Sequence, residues 1–260
     1  MLINQLVEIT MKQKYFLFFC LSFYILNSTF SIATVRYVSK TGSSTPPYTS
    51  WQTAADSIQK CINICSIGDT VYVANGNYKE LIVMVPGLSL IGAGMDSCIL
   101  DMTDRTTYVN AVTMKDSCLI EGFNIKFSEV SPWIRGLGIY MDFSQDTVQG
   151  CTIIYNRVDY ANEGIVVTEG KIKHNIITKA ILFAIDGVTY DETRNYTATI
   201  DSNYISFYNI GIYPSHRTII NASGNIFKLE SQQEIDGNVF YNTLLSGSLD
   251  PVLNNNNVVK

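Results

Sequence analysis

The stretch DGVTYDETRN, Asp186 to Asn195, gathers three carboxylates and one guanidinium in what reads as an insertion between two strand-like runs. Two carboxyl groups on one face are what hydrolysis of a glycosidic bond needs. One stays protonated to donate to the leaving oxygen, and the other ionises to activate water or to attack. Long insertions on one face of a repetitive fold are where binding grooves are built. His216-Arg217 follows on the next run and can project toward the same face. The candidate catalytic set is therefore Asp186, Asp191, Arg194 and Arg217. Asp142, Asp146 and Glu192 are further acids, and no spacing singles out one pair. The same residues also suit a solvated loop closed by an Asp–Arg contact worth under ~1 kcal/mol. His174, in IKHNI, is explained more simply by stacking on a neighbouring run or by an exposed strand position than by catalysis. Tyr140, Phe143, Tyr155, Tyr204, Phe207, Tyr208 and Tyr213 carry flat faces able to stack on sugar rings. Packing inside the fold or under its bends accounts for most of them.

These residues must be held by something, and the rest of the chain says what. Of 260 residues, 47% are hydrophobic and only 16% charged. That is too apolar for disorder, and the abundance of Val, Ile, Tyr, Phe and Thr favours strands. The net charge of −5 and the lack of any Lys/Arg run argue against a nucleic-acid partner. Residues 1–33 read as a signal peptide. Lys12 and Lys14 precede an apolar core from Tyr15 to Leu26, and Ser31-Ile32-Ala33 supplies small residues for cleavage before Thr34. That core is short for a membrane span, although an uncleaved anchor is the alternative. Glu8 is unusual in such a segment and makes Met11 a candidate start. Cleavage removes two lysines and one glutamate and leaves a net charge of −6. It also leaves five cysteines, Cys61, Cys65, Cys98, Cys118 and Cys151, an odd number that argues against a disulfide framework. Cys61 and Cys65 lack CxxC spacing or a nearby His, so they read as small buried hydrophobes rather than metal ligands.

Residues 34–67 read as a strand, RYVSK, a polar loop and one helix. Trp51, Ala54, Ala55, Ile58, Cys61, Ile62 and Cys65 fall on one helical face, with Thr49 or Ser50 as cap and Gly68 as stop. From 68 to 249 short apolar runs recur with Asn or Gly between them: IEGFNI, VQGCTI, IKHNI, IDSNYI, INASGNI and IDGNV. Their irregular period, with no second periodic helix to cross over, excludes a βαβ sheet, and scarce hairpin signals disfavour a sandwich. The pattern predicts an all-β parallel β-helix, a solenoid with an N-terminal capping helix. Inward Ile, Val, Leu and Phe would form its core, and stacked Asn side chains a ladder near the bends. In GDTVYVANGNYKE, Asn75-Gly76 is then a corner of the coil rather than a hairpin. Residues 250–260 are a polar tail or a truncated end.

The segments RYVSKTGSS and SWQTAADSIQKCINICSIGDTVYVANGNYKE resemble the N-terminal region of secreted bacterial right-handed parallel β-helix proteins of the pectin-lyase-like superfamily. The likeness falls on Tyr37, Val38, Ser39, Gly42, Trp51, Ala54, Ile58, Gly68 to Ala74, Gly76, Tyr78 and Glu80, with Cys61 where Ala is more usual. It implies a right-handed coil, a location outside the cell (extracellular, periplasmic or at the surface) and a polysaccharide or cell-surface glycan as partner. It does not fix an activity, because this fold hosts lyases, hydrolases, epimerases and adhesins. Polygalacturonase-like members carry Asn-Thr-Asp, Asp-Asp, Gly-His-Gly and Arg-Ile-Lys strings, and none occurs here. Pectate-lyase-like members use Arg or Lys as base with Ca²⁺ held by acids, which makes Ca²⁺ the one cofactor the resemblance suggests. For lack of a complete constellation, the sequence favours a non-catalytic glycan-binding, scaffold or adhesin-like protein. A lyase or hydrolase acting on acidic polysaccharide such as pectin is the alternative.

Overall fold

The computed structural model describes residues 13–16, 18–19, 32–129, 136–142, 148–188, 195–207, 210–214, 218–229 and 257–259. Residues 13–16 and 18–19 are helical and belong to a unit separate from the one that begins at Ala33. No helix among the described residues is long and apolar enough to cross a membrane.

From Val35 onward the chain coils through three sheets in turn. Sheet A holds β1 (Val35–Val38), β2 (Thr70–Val73), β5 (Ser89–Gly92), β8 (Leu119–Glu121), β11 (Cys151–Ile154), β14 (Gly170–Lys173), β17 (Tyr196–Asp201) and β20 (Thr218–Ser223). Sheet B holds β3 (Gly76–Tyr78), β6 (Cys98–Asp101), β9 (Asn124–Lys126), β12 (Arg157–Asp159), β15 (Ile176–Ala180), β18 (Tyr204–Phe207), β21 (Ile226–Leu229) and β22 (Asn257–Val259). Sheet C holds β4 (Ile82–Val83), β7 (Asn110–Met114), β10 (Leu137–Met141), β13 (Glu163–Val167), β16 (Phe183–Gly187) and β19 (Ile210–Pro214). All pairings between these strands are parallel. The molecule is a right-handed parallel β-helix, and Asn75-Gly76 is the corner between β2 and β3.

Each sheet turns one file of side chains inward. In sheet A it runs Val71, Leu90, Ile120, Ile153, Ile172, Ile200, Ala222. In sheet B it runs Tyr78, Leu100, Ile125, Val158, Ile177, Ile205, Phe227. In sheet C it runs Ile82, Val112, Ile139, Ile165, Ile185, Ile212. All are buried, and each large aliphatic contributes about 1.5–3 kcal/mol of burial.

The corner between sheets A and B carries the asparagine ladder. Asn156, Asn175, Asn203 and Asn225 are buried, and each Oδ1 accepts the backbone N–H of the turn below, from Phe123, Asn156, Asn175 and Asn203 respectively, at 2.9–3.1 Å. Their amide groups donate to carbonyls of sheet A, such as Asn175 Nδ2 to Ile153 O at 2.9 Å. The residue before each ladder position is left-handed. Gly224 (φ 63°) does this without a Cβ penalty, and Tyr155, His174 and Ser202 (φ 52–56°) accept it; Gly122 (φ 78°) holds the same place before Phe123. This register corrects one assignment: VQGCTI is not a ladder unit, because Gly150 (φ 68°) stands at the corner entering sheet A and the ladder unit there is Tyr155-Asn156. IDGNV, Ile235 to Val239, lies outside the described residues.

The helix is also shorter than its pattern. Within residues 49–68, α1 covers Ile58–Ile62 alone. Before it, Trp51–Thr53 form a turn and Ala55 bridges to Val38, with Ala55 N donating to Tyr37 O and Ser39 N to Ala55 O. Its cap is Ser57, not Thr49 or Ser50, and the Glu80 carboxylate fixes that start by accepting from Ile58 N (2.9 Å), Gln59 N (3.0 Å) and Ser57 Oγ (2.6 Å). Gln59 then pairs with the backbone of Val83 in β4 and docks α1 beside sheet C. Ile58, Cys61 and Ile62 close the core from this end.

Candidate active site

Sheet C has two outward files. One runs Asn110, Leu137, Glu163, Phe183, Ile210, and the other Thr113, Tyr140, Val166, Asp186, Tyr213. The chain reaches this outward arrangement through a small-residue corner. A Cβ on Gly164 would lie 2.7 Å from Ile177 Cγ2 and 2.5 Å from Ala184 O, so Gly164 faces the core. Glu163 before it therefore faces out, and beyond Ile165 the alternation places Val166 and, one strand over, Asp186 on the same outer face. Leu137 and Val166 are buried there but stand apart from the core cluster.

Asp186 is the unusual group. It is only 7% exposed, and its Oδ1 is buried without a hydrogen bond. Burial first, and the charge of Glu163 second, push its carboxyl up to about 7. Burial also raises Glu163. Tyr108, just before β7, is raised to about 12 by burial and then by Glu163, which marks the same electrostatic neighbourhood. Three strand positions separate Glu163 from Asp186 along neighbouring strands, roughly 11 Å between their α-carbons. Asn162 Oδ1, next to Glu163, is buried and unpaired as well. Phe183 and Tyr213 flank the pair with rings 4.9 Å apart in a stacked arrangement. Chemically, these are two carboxyl groups that burial pushes toward the protonated form, Asp186 to about 7, on an outer face that also carries apolar side chains.

Of the expected set, Asp186 lies on the outer face of sheet C, between Val166 and Tyr213 on the neighbouring strands. Asp191, Arg194 and Arg217 lie outside the described residues, as do Asp146, Glu192, Phe143 and Tyr208. Asp142 is committed to Lys115 at 2.5 Å. His174 stacks on Tyr155 at 5.0 Å on the ladder corner, as expected of a neighbouring-turn stack. Phe207 is core. The described arginines serve elsewhere: Arg36 pairs with Asp69, Arg105 donates to Lys79 O, and Arg157 pairs with Asp159 at 2.7 Å. Among the described residues, no three His, Cys, Asp or Glu gather in a group able to hold a metal ion. Sequence reasoning missed Glu163 and Tyr108. The available signal was the alignment of EGIVV with FAIDG on Ile165 and Ile185.

No protein-family model matches the chain, and no curated protein matches it. Solved structures similar to it include pectin methylesterase PemA from Erwinia chrysanthemi, with 12% identity over 78% of this chain and 68% of that one and a TM-score of 0.42. A pectin methylesterase in complex with a hexasaccharide is similar over the same shares, with 12% identity and a TM-score of 0.40.

Proposed function

We propose that this protein is a polysaccharide hydrolase with Asp186 as general acid and Glu163 as general base on the outer face of sheet C. The observation that carries the reading is the buried, unbonded carboxyl of Asp186, held protonated toward neutral pH beside a second carboxylate. A solvated loop acid would not keep its proton there, and a binding surface gains nothing from burying one. The preference for a non-catalytic protein rested on the lack of a complete catalytic constellation, and the juxtaposition of Glu163 with Asp186 supports the enzymatic alternative.

The Asp186 carboxyl proton passes to the leaving glycosidic oxygen as the bond to the anomeric carbon breaks. Glu163 takes a proton from the water whose oxygen attacks that carbon from the other face. Each turnover leaves Asp186 ionised and Glu163 protonated, and proton exchange with solvent restores both. A separation wide enough to admit water between the groups favours inversion over a covalent intermediate. Phe183 and Tyr213 offer an apolar face to a sugar ring. Uronate polymers are the first substrate class, on the strength of the superfamily resemblance, and a location outside the cell belongs to the same proposal.

The test incubates the full chain with polygalacturonate, methyl-esterified pectin and neutral polysaccharides. It reads reducing ends, methanol and unsaturated-product absorbance. The expected result is new reducing ends without absorbance, lowered about 10²–10⁴-fold by Asp186→Asn and by Glu163→Gln. Reducing ends unchanged by either variant, methanol or absorbance without hydrolysis, or silence from a folded sample on every substrate would overturn it.

A further inference from the structure

The outer face of sheet A changes character along the coil. In β1, β2 and β5 the strand alternation turns Val38, Val71 and Leu90 into the core and leaves Val35, Tyr37, Thr70, Tyr72, Ser89 and Ile91 outside. None of these outward positions is charged. The first charge on their file is Glu121 in β8, the register partner of Ile91. Farther along, the file reaches Lys173 and Asp201, an ion pair at 3.4 Å. Aromatic rings gather on the uncharged part. Tyr37 and Tyr72 are register partners, and their rings stack with centroids 6.1 Å apart. Trp51 closes the row from the loop after β1, with its ring 4.6 Å from that of Tyr37 and tilted by 56°. Backbone bonds hold that loop in place: Ser43 N donates to Gln52 O at 2.9 Å, Thr45 N to Thr53 O at 3.1 Å, and Tyr37 N to Tyr48 O at 2.8 Å. Clustering does not hide the rings. Trp51 stays 46% exposed and Tyr72 39%, and a contiguous exposed apolar patch of this kind marks a binding surface.

We propose that Trp51, Tyr37 and Tyr72 form a glycan-binding platform for a neutral sugar chain, separate from the carboxyl pair on sheet C. The apolar C–H face of a pyranose ring packs on indole and phenol rings, and the indole N–H and phenol hydroxyls at the ring edges can bond to sugar hydroxyls. Thr70 and Ser89, register partners beside the row, add hydroxyls that both donate and accept. Charge selects the ligand class. A uronate chain would lay its carboxylates on strand positions that hold no cation, and the first charge it met would be Glu121, of the same sign. A neutral chain meets neither cost. Size selects against a protein partner. The row and its flanking positions come to seven side chains, against roughly 20–30 residues a side in a stable protein interface. The rings are also held against one another before any ligand arrives, so binding orders little that is not ordered already. This platform goes beyond the hydrolase reading and stands whether or not sheet C is catalytic.

Intrinsic fluorescence reads the platform directly, because the chain has only two tryptophans, Trp51 and Trp133. The full chain is titrated with cellohexaose, mannohexaose and hexagalacturonate by calorimetry and by emission, and Trp133→Phe assigns the emission to Trp51. The expected result is saturable binding of a neutral hexasaccharide that changes Trp51 emission, weakened about tenfold by Tyr72→Ala and largely kept by Tyr72→Phe. Hexagalacturonate should leave the emission unchanged. A failure of the hydrolase reading shows in reducing ends and not in this emission, so the two fail separately. Silence with both neutral sugars, an equal response to hexagalacturonate, or binding as tight in a folded Tyr72→Ala chain would overturn the platform. So would a concentration-dependent dimer in sedimentation that Trp51→Ala abolishes, which would make this face a contact between two copies. The calorimetry of the unaltered chain needs no variant to fold.

Discussion

Asp69 and Asp186 are both buried aspartates in an apolar coil, and the protein treats them in opposite ways. Asp69 accepts from Thr34 N at 2.7 Å and Ser66 N at 3.0 Å, and it pairs with Arg36 at 3.3 Å. Asp186 has a buried oxygen with no donor and a second carboxylate for a neighbour. The difference separates two uses of a buried acid. Around Asp69 the ion pair and amides tie the cap to the first turn of the coil. Around Asp186 nothing described compensates the charge, so the proton stays. Glu80 belongs with Asp69: its carboxylate is consumed by the start of α1. Asp69 and Glu80 are therefore structural acids.

The largest effect that tests this contrast is on rate. Asp186→Asn should lower hydrolysis about 10²–10⁴-fold with an unchanged circular dichroism spectrum, since a general acid contributes that much. If the rate per folded molecule falls as far in Asp69→Asn, the two aspartates do not divide as described. The complementary experiment is on stability. Asp69→Asn leaves Arg36 buried without its partner and should cost about 3–5 kcal/mol in urea unfolding, with the rate per folded molecule retained. A loss below about 1 kcal/mol would make the Asp69 cluster dispensable to the fold.

The third effect is the pH dependence of stability. Asp186 has a folded pKa near 7, above the value of 3.8 that it has when unfolded. Its contribution is thus complete below about pH 4 and lost as pH rises through about 7. Between pH 5 and 7 the protein should lose roughly 2–3 kcal/mol relative to Asp186→Asn, which cannot titrate there. Parallel stability curves for the two proteins over that window would show that Asp186 is solvated and ionised like any surface acid.

Much of this architecture was legible in the sequence, and the reasons are local. Asn175, Asn203 and Asn225 sit between apolar residues in IKHNI, IDSNYI and INASGNI, so the ladder announces itself within each run. The site was only half legible. Asp186 stood out in an acid-rich stretch, but its partner Glu163 lies one turn earlier in the coil. Pairing them requires the register of β13 on β16 and the inward turn of Gly164, neither of which is a property of a single run. The helix failed for a related reason. Ala54 and Ala55 fit the helical face by spacing, yet their backbone is claimed by Ser44, Tyr37 and Ser39 in extended pairings. Tertiary hydrogen bonding overrode the period, and Trp51 was left 46% exposed against Tyr37.

The smallest effect divides the causes at Asp186 itself. Burial stands ahead of the Glu163 charge among the forces that raise its carboxyl. Glu163→Gln keeps the shape of the outer face and removes that charge, so the pH at which stability falls should move down but remain well above the ordinary aspartate range. The measurement is the midpoint of the stability difference between Glu163→Gln and the double variant with Asp186→Asn. A midpoint that returns to the ordinary range would mean that the carboxylate neighbour, rather than burial, holds the proton on. Asp186 and Glu163 would then titrate as one coupled pair, and acid and base roles could no longer be assigned to them separately.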